Sequence, residues 1–505
     1  MQLSKQALGQ VALKPGMTLP VTKQLELPEK VLQFGTGVLL RGLPDYFIDN
    51  ANRQGIFNGR VVVVKSTDSD SSAFDKQDGL YTICVRGVEN GITVEENIVN
   101  ASISRVLGAK TEWKRILECA HNPEMKIVIS NTTEVGIQLV QDDINSEPPV
   151  SFPGKLLAFL YERFKAFNGS AASGMVIIPT ELITDNGSKL ESIVLELAHR
   201  NNLDFKFIEW LENHNHFCNS LVDRIVPGKP NSTDLQKIEK ALDYEDELLT
   251  MSEVFRLWAI EGDKNIKEIL SFSQADEGVV IAPDITLFKE LKLRLLNGTH
   301  SFNCGIAFLS GFNITREAIT DKIFSVFARN LMHTEIAKAI PFAIDEKVKT
   351  EFANRVFERF CNPFIDHQWQ SITVQYTSKM KMRNIPLLLR HFELNDSPPA
   401  YMATGFAGFL LYMKVTRKDG NKYFGEREGV EYEIKDDSAD YFCHAWEKNS
   451  PASLVQEVMQ NEELWDTDLT KLPGFLQAVQ EQLQDMITNG VLPTIAQLEV
   501  KKVTA

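Results

Sequence analysis

Hydrophobic residues in the first half of the chain form short runs that are separated by glycines and helical stretches. A strand is predicted at residues 31–35, followed by a turn containing Gly35 and Gly37, a helical stretch to Asn52 and a second strand at Arg60–Lys65. Four consecutive valines in the second strand indicate burial on both faces, which is typical of a parallel sheet. Strand, turn, helix and strand in this order predict a βαβ unit.

The same alternation continues to about residue 284 and then changes. Further buried strands are predicted at residues 126–131 and 174–179, with a helix at 154–167 between them. Residues 81–86 and 92–99 alternate in polarity around an Asn-Gly turn, which predicts an inserted hairpin. Beyond residue 284, helical periodicity dominates, at residues 287–308, 321–332, 400–414 and 451–459.

We therefore predict an α/β protein of two domains. Residues 1–284 would form a Rossmann-like dinucleotide-binding domain that carries the inserted hairpin, and residues 285–505 a mainly α-helical substrate and catalytic domain. A length of 505 residues is compatible with two large domains.

Composition narrows the possible partners and the compartment. The 53 basic and 68 acidic residues give a formal net charge of −15, which argues against nucleic acid and against anionic membranes as partners. An anionic substrate would need a local basic pocket. The most apolar stretch, residues 401–413, is shorter than the roughly 20 residues that span a bilayer. The N-terminus lacks the apolar core of a secretory signal, and the six scattered cysteines predict neither disulfides nor a structural zinc site, so a cytoplasmic protein is expected.

The turn after the first strand is a candidate nucleotide site. Glycines allow a pyrophosphate to approach the backbone, and the amides at a helix N-terminus bind its charge. The third glycine of the usual motif is replaced by Leu40, so an ordinary tight turn remains the alternative. After the second strand, Lys65 could accommodate a 2′-phosphate whereas Asp68 could bind a ribose hydroxyl, which leaves NAD and NADP both open. The candidate cofactor-binding residues are Phe34, Gly35, Thr36, Gly37, Val38, Arg41 and Asp68, together with Thr132, Thr133 and Glu134 in a polar loop after the strand at 126–131.

A set of three polar residues near the start of the second domain is the candidate for the chemistry. At about 100° per helical residue, Lys292, Asn297 and His300 fall within an arc of roughly 140°. An ammonium, an amide and an imidazole could transfer a proton and polarise a carbonyl without a metal, provided that the lysine pKa falls from about 10.4. The alternative is a solvated lysine with a buried asparagine and histidine. His214 and His216 are poor evidence for a metal site, and no metal is predicted.

The spacing Lys292-x4-Asn297-x2-His300 resembles the catalytic motif of the mannitol dehydrogenase family, the polyol-specific long-chain dehydrogenases. Supporting resemblances lie at residues 33–41, 217–227, 359–363 and 378–379, so the similarity spans most of the chain. Residues 181–187 and the first two strands are most similar to family members that act on sugar acids.

This resemblance implies a zinc-independent, NAD-linked enzyme that transfers a hydride reversibly between a nicotinamide and a carbon of a small sugar acid. Lys292 would be the general acid/base, Asn297 would stabilise the developing alkoxide, and His300 would orient the substrate or tune the lysine. Asn186 would supply a second amide to the oxyanion. A fructuronate-type or neutral polyol dehydrogenase is the alternative within the family, and a non-catalytic nucleotide-sensing protein is the alternative outside it. The oligomeric state is not predicted.

A basic cluster offers partners for a substrate carboxylate. Lys379, Lys381 and Arg383 alternate with other residues, so their charges could share one face and bind the acid group of the substrate. Lys379 matches a position that is shared widely within the family, whereas Lys381 and Arg383 could equally belong to a solvated charged face.

Overall fold

The computed structural model describes residues 1–67, 71–132 and 136–504, with side chains up to residue 498. The chain divides into two compact units. The first unit comprises Met1–Gly87 and Ile92–Ile285, and the second comprises Val88–Gly91 and Thr286–Ala505.

A six-stranded parallel sheet is the centre of the first unit. Its strands, numbered by their order along the chain, have the spatial order 3-2-1-4-5-6, which is the arrangement of a dinucleotide-binding Rossmann fold. In spatial order they are Ile103–Gly108, Arg60–Lys65, Glu29–Phe34, Ile127–Ser130, Val176–Pro179 and His216–Phe217. The predicted α/β class and the parallel strands are confirmed.

Consecutive residues of the central strands contribute to two separate cores, one on each face of the sheet. In Arg60–Lys65, Val62 and Val64 belong to one hydrophobic cluster, while Val61 and Val63 belong to the other. All four valines are fully buried. Because both faces are covered, the strand needs no polar residues at alternate positions, which explains its run of valines.

Two smaller sheets and a set of helices complete the first unit. The predicted hairpin is present as Tyr81–Glu89 and Ile92–Asn100, in a four-stranded sheet with Met17–Thr18 and Thr250–Glu253. A three-stranded sheet contains Ser220–Asp223, Leu257–Glu261 and Val279–Ala282. The α-helices are Lys5–Leu8, Val38–Gly42, Pro44–Arg53, Ser72–Lys76, Trp113–Glu118, Phe152–Ala166, Asn186–Arg200, Phe205–His214, Ser232–Leu242 and Lys264–Ile269. Short 3₁₀ helices lie at Thr22–Glu26, Cys119–His121, Ala171–Ser173 and Ser271–Gln274.

The second unit is mainly helical, as predicted. Its α-helices are Thr286–Glu290, Thr299–Leu309, Thr315–Thr320, Lys322–Asn330, Glu346–Phe360, Trp369–Ile372, Tyr376–Lys379, Ile385–Leu394, Ala400–Tyr412, Ala439–Lys448, Pro451–Gln460, Glu462–Trp465, Phe475–Asn489 and Val491–Thr504. Segments of π-helix lie at Leu291–Gly298, Leu331–Ile336 and Met380–Asn384, and 3₁₀ turns at Ala337–Ala339 and Leu469–Lys471. The pattern of residues did not predict the small antiparallel sheet formed by Arg417–Asp419, Lys422–Arg427 and Val430–Ile434.

Within the described residues, none of the helices combines the length and the apolar character needed to cross a membrane.

Candidate active site

The two glycines of the candidate nucleotide turn are required for different reasons. Gly35 has φ +125°, and a Cβ atom there would lie 3.0 Å from both Asn131 O and Leu40 Cδ1. Gly37 caps the helix Val38–Gly42 with an ordinary φ of −61°, and a Cβ atom there would meet nothing within 4 Å. The fold of the first unit therefore needs Gly35, whereas the open space beside Gly37 fits the close approach of a dinucleotide pyrophosphate.

The other residues predicted around this turn differ in their exposure. The Phe34 side chain is buried in the core, with its ring centroid 5.1 Å from that of Phe152, so only its backbone faces the turn. Thr36 and Val38 are half-buried. Asp68, Thr133 and Glu134 lie outside the described residues.

Arg41 points into the interior of the first unit. Its Nη1 donates a hydrogen bond to Leu248 O, and the guanidinium lies 5.9 Å from the centroid of Phe74 and 5.3 Å from that of Tyr81. Burial lowers the pKa of Arg41, and Tyr81 and nearby carboxylates oppose this shift. The side chain of Arg41 therefore makes contacts inside the first unit and stabilises it next to the glycine turn.

The polar loop after the fourth strand is held by a buried carboxylate. Glu181 accepts hydrogen bonds from the Thr132 backbone nitrogen at 2.8 Å and from Thr132 Oγ1 at 3.0 Å, and Ser130 Oγ donates to it at 3.2 Å. Burial raises the pKa of Glu181, and these hydrogen bonds oppose the shift. Thr132 is therefore fixed at the carboxyl end of the sheet, where open α/β sheets bind ligands.

Asn186 requires a correction, because its amide is engaged entirely by backbone groups of the first unit. Its Nδ2 donates to Pro179 O, Glu181 O and Ser220 O at 3.0–3.1 Å. Its Oδ1 accepts from the backbone nitrogens of Gly187 and Ser220, both at 2.9 Å. The side chain is buried and has no hydrogen left for a substrate oxygen. Asn186 therefore joins two loops of the first unit and is not assigned to the oxyanion.

The segment that carries Lys292 and Asn297 is a π-helix, Leu291–Gly298, which continues as the α-helix Thr299–Leu309. We call Leu291–Gly298 the catalytic segment. A π-helix has i→i+5 hydrogen bonds and about 4.4 residues per turn, or about 82° per residue. On this winding, Asn297 lies about 50° from Lys292, and His300 about 30° away on the other side. The three residues therefore share an arc of about 80°, narrower than the roughly 140° expected for an α-helix.

The three candidates differ in burial, and His300 is the most enclosed. Lys292 and Asn297 are half-buried, whereas His300 is only 6% exposed. The imidazole stacks on Phe360 at a centroid distance of 4.4 Å and meets the rings of His367 and Trp369 edge-on, at 5.3 and 6.1 Å. Within the described part of the chain, its buried Nε2 has no hydrogen-bond partner.

Burial and basic neighbours keep His300 neutral. Burial lowers its pKa well below 6.5, and the groups that lower it further are His367, Arg383, Arg359 and Lys379. Arg383, Arg359 and Lys379 are cationic side chains, so the electrostatic field at His300 is positive. A neutral imidazole in this field can form a hydrogen bond with a substrate hydroxyl without adding another charge.

The three residues of the predicted basic cluster have different partners. Lys379 Nζ donates to Ile372 O at 2.8 Å, and burial and then Arg383 lower the pKa of Lys379. Lys381 Nζ forms an ion pair with Asp466 Oδ1 at 2.8 Å. Arg383 Nη1 donates to Ser301 Oγ at 3.1 Å, beside His300. Among the described residues, Arg383 forms no ion pair with an acidic side chain, and its buried Nε has no hydrogen-bond partner.

Three residues near the site had not been identified as site residues from the sequence. Arg359 contributes to the positive field at His300. The ring of His367 contacts that of His300, and the pKa of His367 is lowered by burial, Arg359 and Lys379. Tyr376 OH donates to Ser301 O at 2.7 Å and accepts from Gly305 N at 3.2 Å, which ties it to the helix that carries His300. Only Arg359 had a signal, since it lies in a segment that resembles the mannitol dehydrogenase family.

Sequence comparison assigns both units to one family. Residues 29–272 match the model of the mannitol dehydrogenase Rossmann domain, and residues 284–487 match that of the mannitol dehydrogenase C-terminal domain. The chain belongs to the mannitol dehydrogenase family. The resemblance found in the motifs is thereby confirmed.

Members of the mannitol dehydrogenase family similar to this chain include proteins named altronate oxidoreductase. The protein from Halalkalibacterium halodurans is 36% identical over 485 residues, covering 94% of each chain. The protein from Escherichia coli K12 is 35% identical over 483 residues, covering 94% of this chain and 97% of the relative.

Two solved structures share the fold along nearly the whole chain. Mannitol 2-dehydrogenase of Pseudomonas fluorescens, in a ternary complex with NAD and D-mannitol, has a TM-score of 0.71 at 23% identity and covers 99% of this chain and 100% of its own. A substrate-free D-sorbitol dehydrogenase has a TM-score of 0.77 at 20% identity, with coverages of 98% and 100%.

Potential metal ligands are dispersed in this family member. In the ranges that the structure describes, no three His, Cys, Asp or Glu side chains are grouped closely enough to hold a metal ion, and His214 and His216 belong to no such group.

Proposed function

We propose that this protein is an NAD-dependent altronate oxidoreductase, also called tagaturonate reductase, which interconverts D-altronate and D-tagaturonate. Membership of the mannitol dehydrogenase family supports a dehydrogenase, and the relatives named altronate oxidoreductase support a sugar-acid substrate. All six cysteines are free, which is compatible with the reducing cytoplasm that we propose as its compartment.

The positive field around His300 is the observation that carries the choice of an acidic substrate. The whole chain has a formal net charge of −15, so an anion would be repelled from most of its surface. Arg359, Lys379 and Arg383 nevertheless lie close enough to His300 to lower its pKa. A neutral polyol would gain little from such a concentration of positive charge, whereas a uronate carboxylate would gain charge-assisted hydrogen bonds.

The chain's own residues would handle the proton and orient the substrate. When bound, NAD supplies the hydride acceptor, and in the reverse direction NADH supplies the hydride. Lys292 would remove the proton from the altronate hydroxyl during oxidation and return it to the carbonyl oxygen during reduction. Asn297 would donate an amide hydrogen to the same oxygen while negative charge develops on it. The unpaired Nε2 of neutral His300 would bind a neighbouring substrate hydroxyl.

The residues around the glycine turn fit the cofactor. Gly37 has open space beside its backbone, Gly35, Thr36 and Val38 flank it in the chain, and Thr132 lies fixed at the end of a neighbouring strand. These residues would hold the pyrophosphate and the adjoining ribose. We propose NAD rather than NADP as the working cofactor, with Asp68 as the ribose ligand, and a comparison of the two cofactors tests this choice.

Arg383 is the residue that we propose for the substrate carboxylate. It donates to Ser301, next to His300, and it forms no ion pair within the described residues. Lys381 is already paired with Asp466, so its charge is largely neutralised. Lys379 would contact the substrate more generally, as its lowered pKa and its position beside Arg383 suggest.

The experiment follows NADH absorbance with purified protein and four substrates: tagaturonate, fructuronate, fructose and mannitol. We expect tagaturonate with NADH to give the highest kcat/KM, and NADPH to give a lower one. A preference for fructuronate or for a neutral substrate would reassign the enzyme within its family. Binding of NADH without turnover of any substrate would favour a nucleotide-sensing protein and overturn the proposal.

A further inference from the structure

The catalytic segment adopts a winding that needs support from outside itself. Helices with i→i+5 hydrogen bonds are rare and short in proteins, and they are frequent at functional sites. A second π-helix, Met380–Asn384, packs against the catalytic segment. We call Met380–Asn384 the supporting segment. It contains Arg383, the residue proposed above for the substrate carboxylate.

Hydrogen bonds run between the two π-helices in both directions. From the catalytic segment, Arg294 Nη1 donates to Met382 O and to Arg383 O, both at 2.8 Å. From the supporting segment, Asn384 Nδ2 donates to Gly298 O at 2.9 Å. Arg294 and Asn384 are both buried, so water does not compete with these bonds. Glu290 Oε2 accepts from Arg294 Nε at 2.9 Å and orients the guanidinium.

Two attachment points on one short segment fix the winding between them. Arg294 and Gly298 are four residues apart in the catalytic segment, and both are bonded to the supporting segment. Rewinding these four residues from about 82° to about 100° per residue would turn Gly298 by about 70° relative to Arg294. One of the two attachments would then break, so the pair favours the π-helix over the α-helix.

We propose that Arg294 and Asn384 are positioning residues that hold the catalytic segment in its π-helical form. This inference rests on the proposed function, in which Lys292 and Asn297 act on the same substrate oxygen. In the π-helix these two residues are about 50° apart around the axis, and in an α-helix they would be about 140° apart. The bond to Arg383 O also fixes the backbone of the proposed carboxylate ligand.

The test combines kinetics with the crystal structures of two variants. Asn384→Ala removes the attachment at Gly298, and Arg294→Met removes the attachment at Met382 and Arg383. We expect the catalytic segment to rewind to i→i+4 hydrogen bonds and kcat to fall at least about 10-fold, while the KM for NADH stays within about 2-fold. Arg294→Lys keeps a donor and a positive charge, so it should restore part of the lost kcat.

A matched control separates this role from general stability. Arg427 also donates to a backbone carbonyl of the second unit, Phe308 O at 3.1 Å, and lies over the Phe308 ring. Arg427→Met should leave kcat within about 2-fold of the wild type.

The proposal is overturned if the catalytic segment stays π-helical in both variants, or if it rewinds without loss of kcat. It is also overturned if Arg294→Lys loses as much kcat as Arg294→Met. A further contrary result would be that Asn384→Ala and Arg294→Met both fail to fold while Arg294→Lys keeps the full wild-type kcat. The proposed function fails if the wild type is inactive on all four compounds. The crystal structures would still show whether the catalytic segment rewinds in the variants, so the two failures can be distinguished.

Discussion

Replacing Arg383 by methionine should change the substrate preference of the enzyme more than its general activity. Methionine keeps much of the apolar stem of arginine and removes the positive charge. Among the described residues the guanidinium donates one hydrogen bond, to Ser301 Oγ at 3.1 Å, and it has no carboxylate partner there. Burial lowers the pKa of Arg383. A substrate carboxylate would supply that missing partner.

The expected magnitude follows from the kind of interaction that is lost. A hydrogen bond to a charged group contributes about 1.5–3 kcal/mol, which corresponds to about 10- to 150-fold in kcat/KM. The upper part of this range applies here, because the guanidinium is largely buried and water screens it weakly. Fructose has no carboxylate, so its kcat/KM should change only about 2- to 3-fold.

The assay measures kcat/KM for tagaturonate and fructose with NADH in wild type, Arg383→Met and Lys381→Met. Lys381 is the matched control: it lies in the same π-helical segment, but its ammonium is paired with Asp466 at 2.8 Å. We expect Lys381→Met to leave the ratio of the two specificities within about 2-fold. The reasoning is refuted if Arg383→Met lowers both specificities equally, or if Lys381→Met changes the ratio as strongly.

Three further predictions concern Lys292, Asp45 and Asn186. Lys292→Ala should lower kcat by about 10²–10⁴-fold while the affinity for NADH, measured by fluorescence titration, stays unchanged; turnover near that of wild type would remove Lys292 as the general acid/base. Burial raises the pKa of Asp45 from 3.8 to about 7. The folded state therefore keeps a proton that the unfolded state loses between these values. Asp45 should lower the wild-type free energy of unfolding by up to about 4 kcal/mol as the pH rises from about 4 to about 7. Asp45→Asn should reduce that fall in urea titrations across this pH range, while the buried carboxyls of Asp49 and Asp246, whose pKa values are also raised, keep the remainder. An unchanged pH dependence would contradict the prediction. Asn186→Ala should lower the free energy of unfolding by at least about 2 kcal/mol, because it leaves buried backbone groups unpaired, yet keep kcat within about 5-fold; a stable variant with a 100-fold lower kcat would return Asn186 to the oxyanion.

The elements that sequence predicted well are those whose signal is local. Val61 to Val64 are apolar because both faces of the sheet are covered, and this requirement appears as an uninterrupted run in the chain. The glycine turn is similarly local, since the positive φ of Gly35 excludes most other residues. The small sheet of the second unit was not predicted from the sequence. Its first strand, Arg417–Asp419, is exposed at all three positions and has no alternation of apolar and polar residues.

The parts of the candidate site that could not be predicted depend on contacts between distant residues. The role of Asn186 is set by Ser220, 34 positions away, whose backbone both donates to and accepts from its amide. The winding of the catalytic segment depends on Asn384, 86 positions from Gly298. A helical pattern analysed at 100° per residue contains neither contact. The sequence therefore predicted the spacing of Lys292 and Asn297 but not the π-helical winding between them.

The difference between Gly35 and Gly37 would become visible under selection. A random library at both positions that is screened only for soluble, folded protein should retain glycine at 35, where a side chain collides with Asn131 and Leu40, and should accept many residues at 37. The same library screened for growth on altronate should retain glycine at both positions. Comparing the two selected populations would separate what the chain needs in order to fold from what its ligand needs in order to bind.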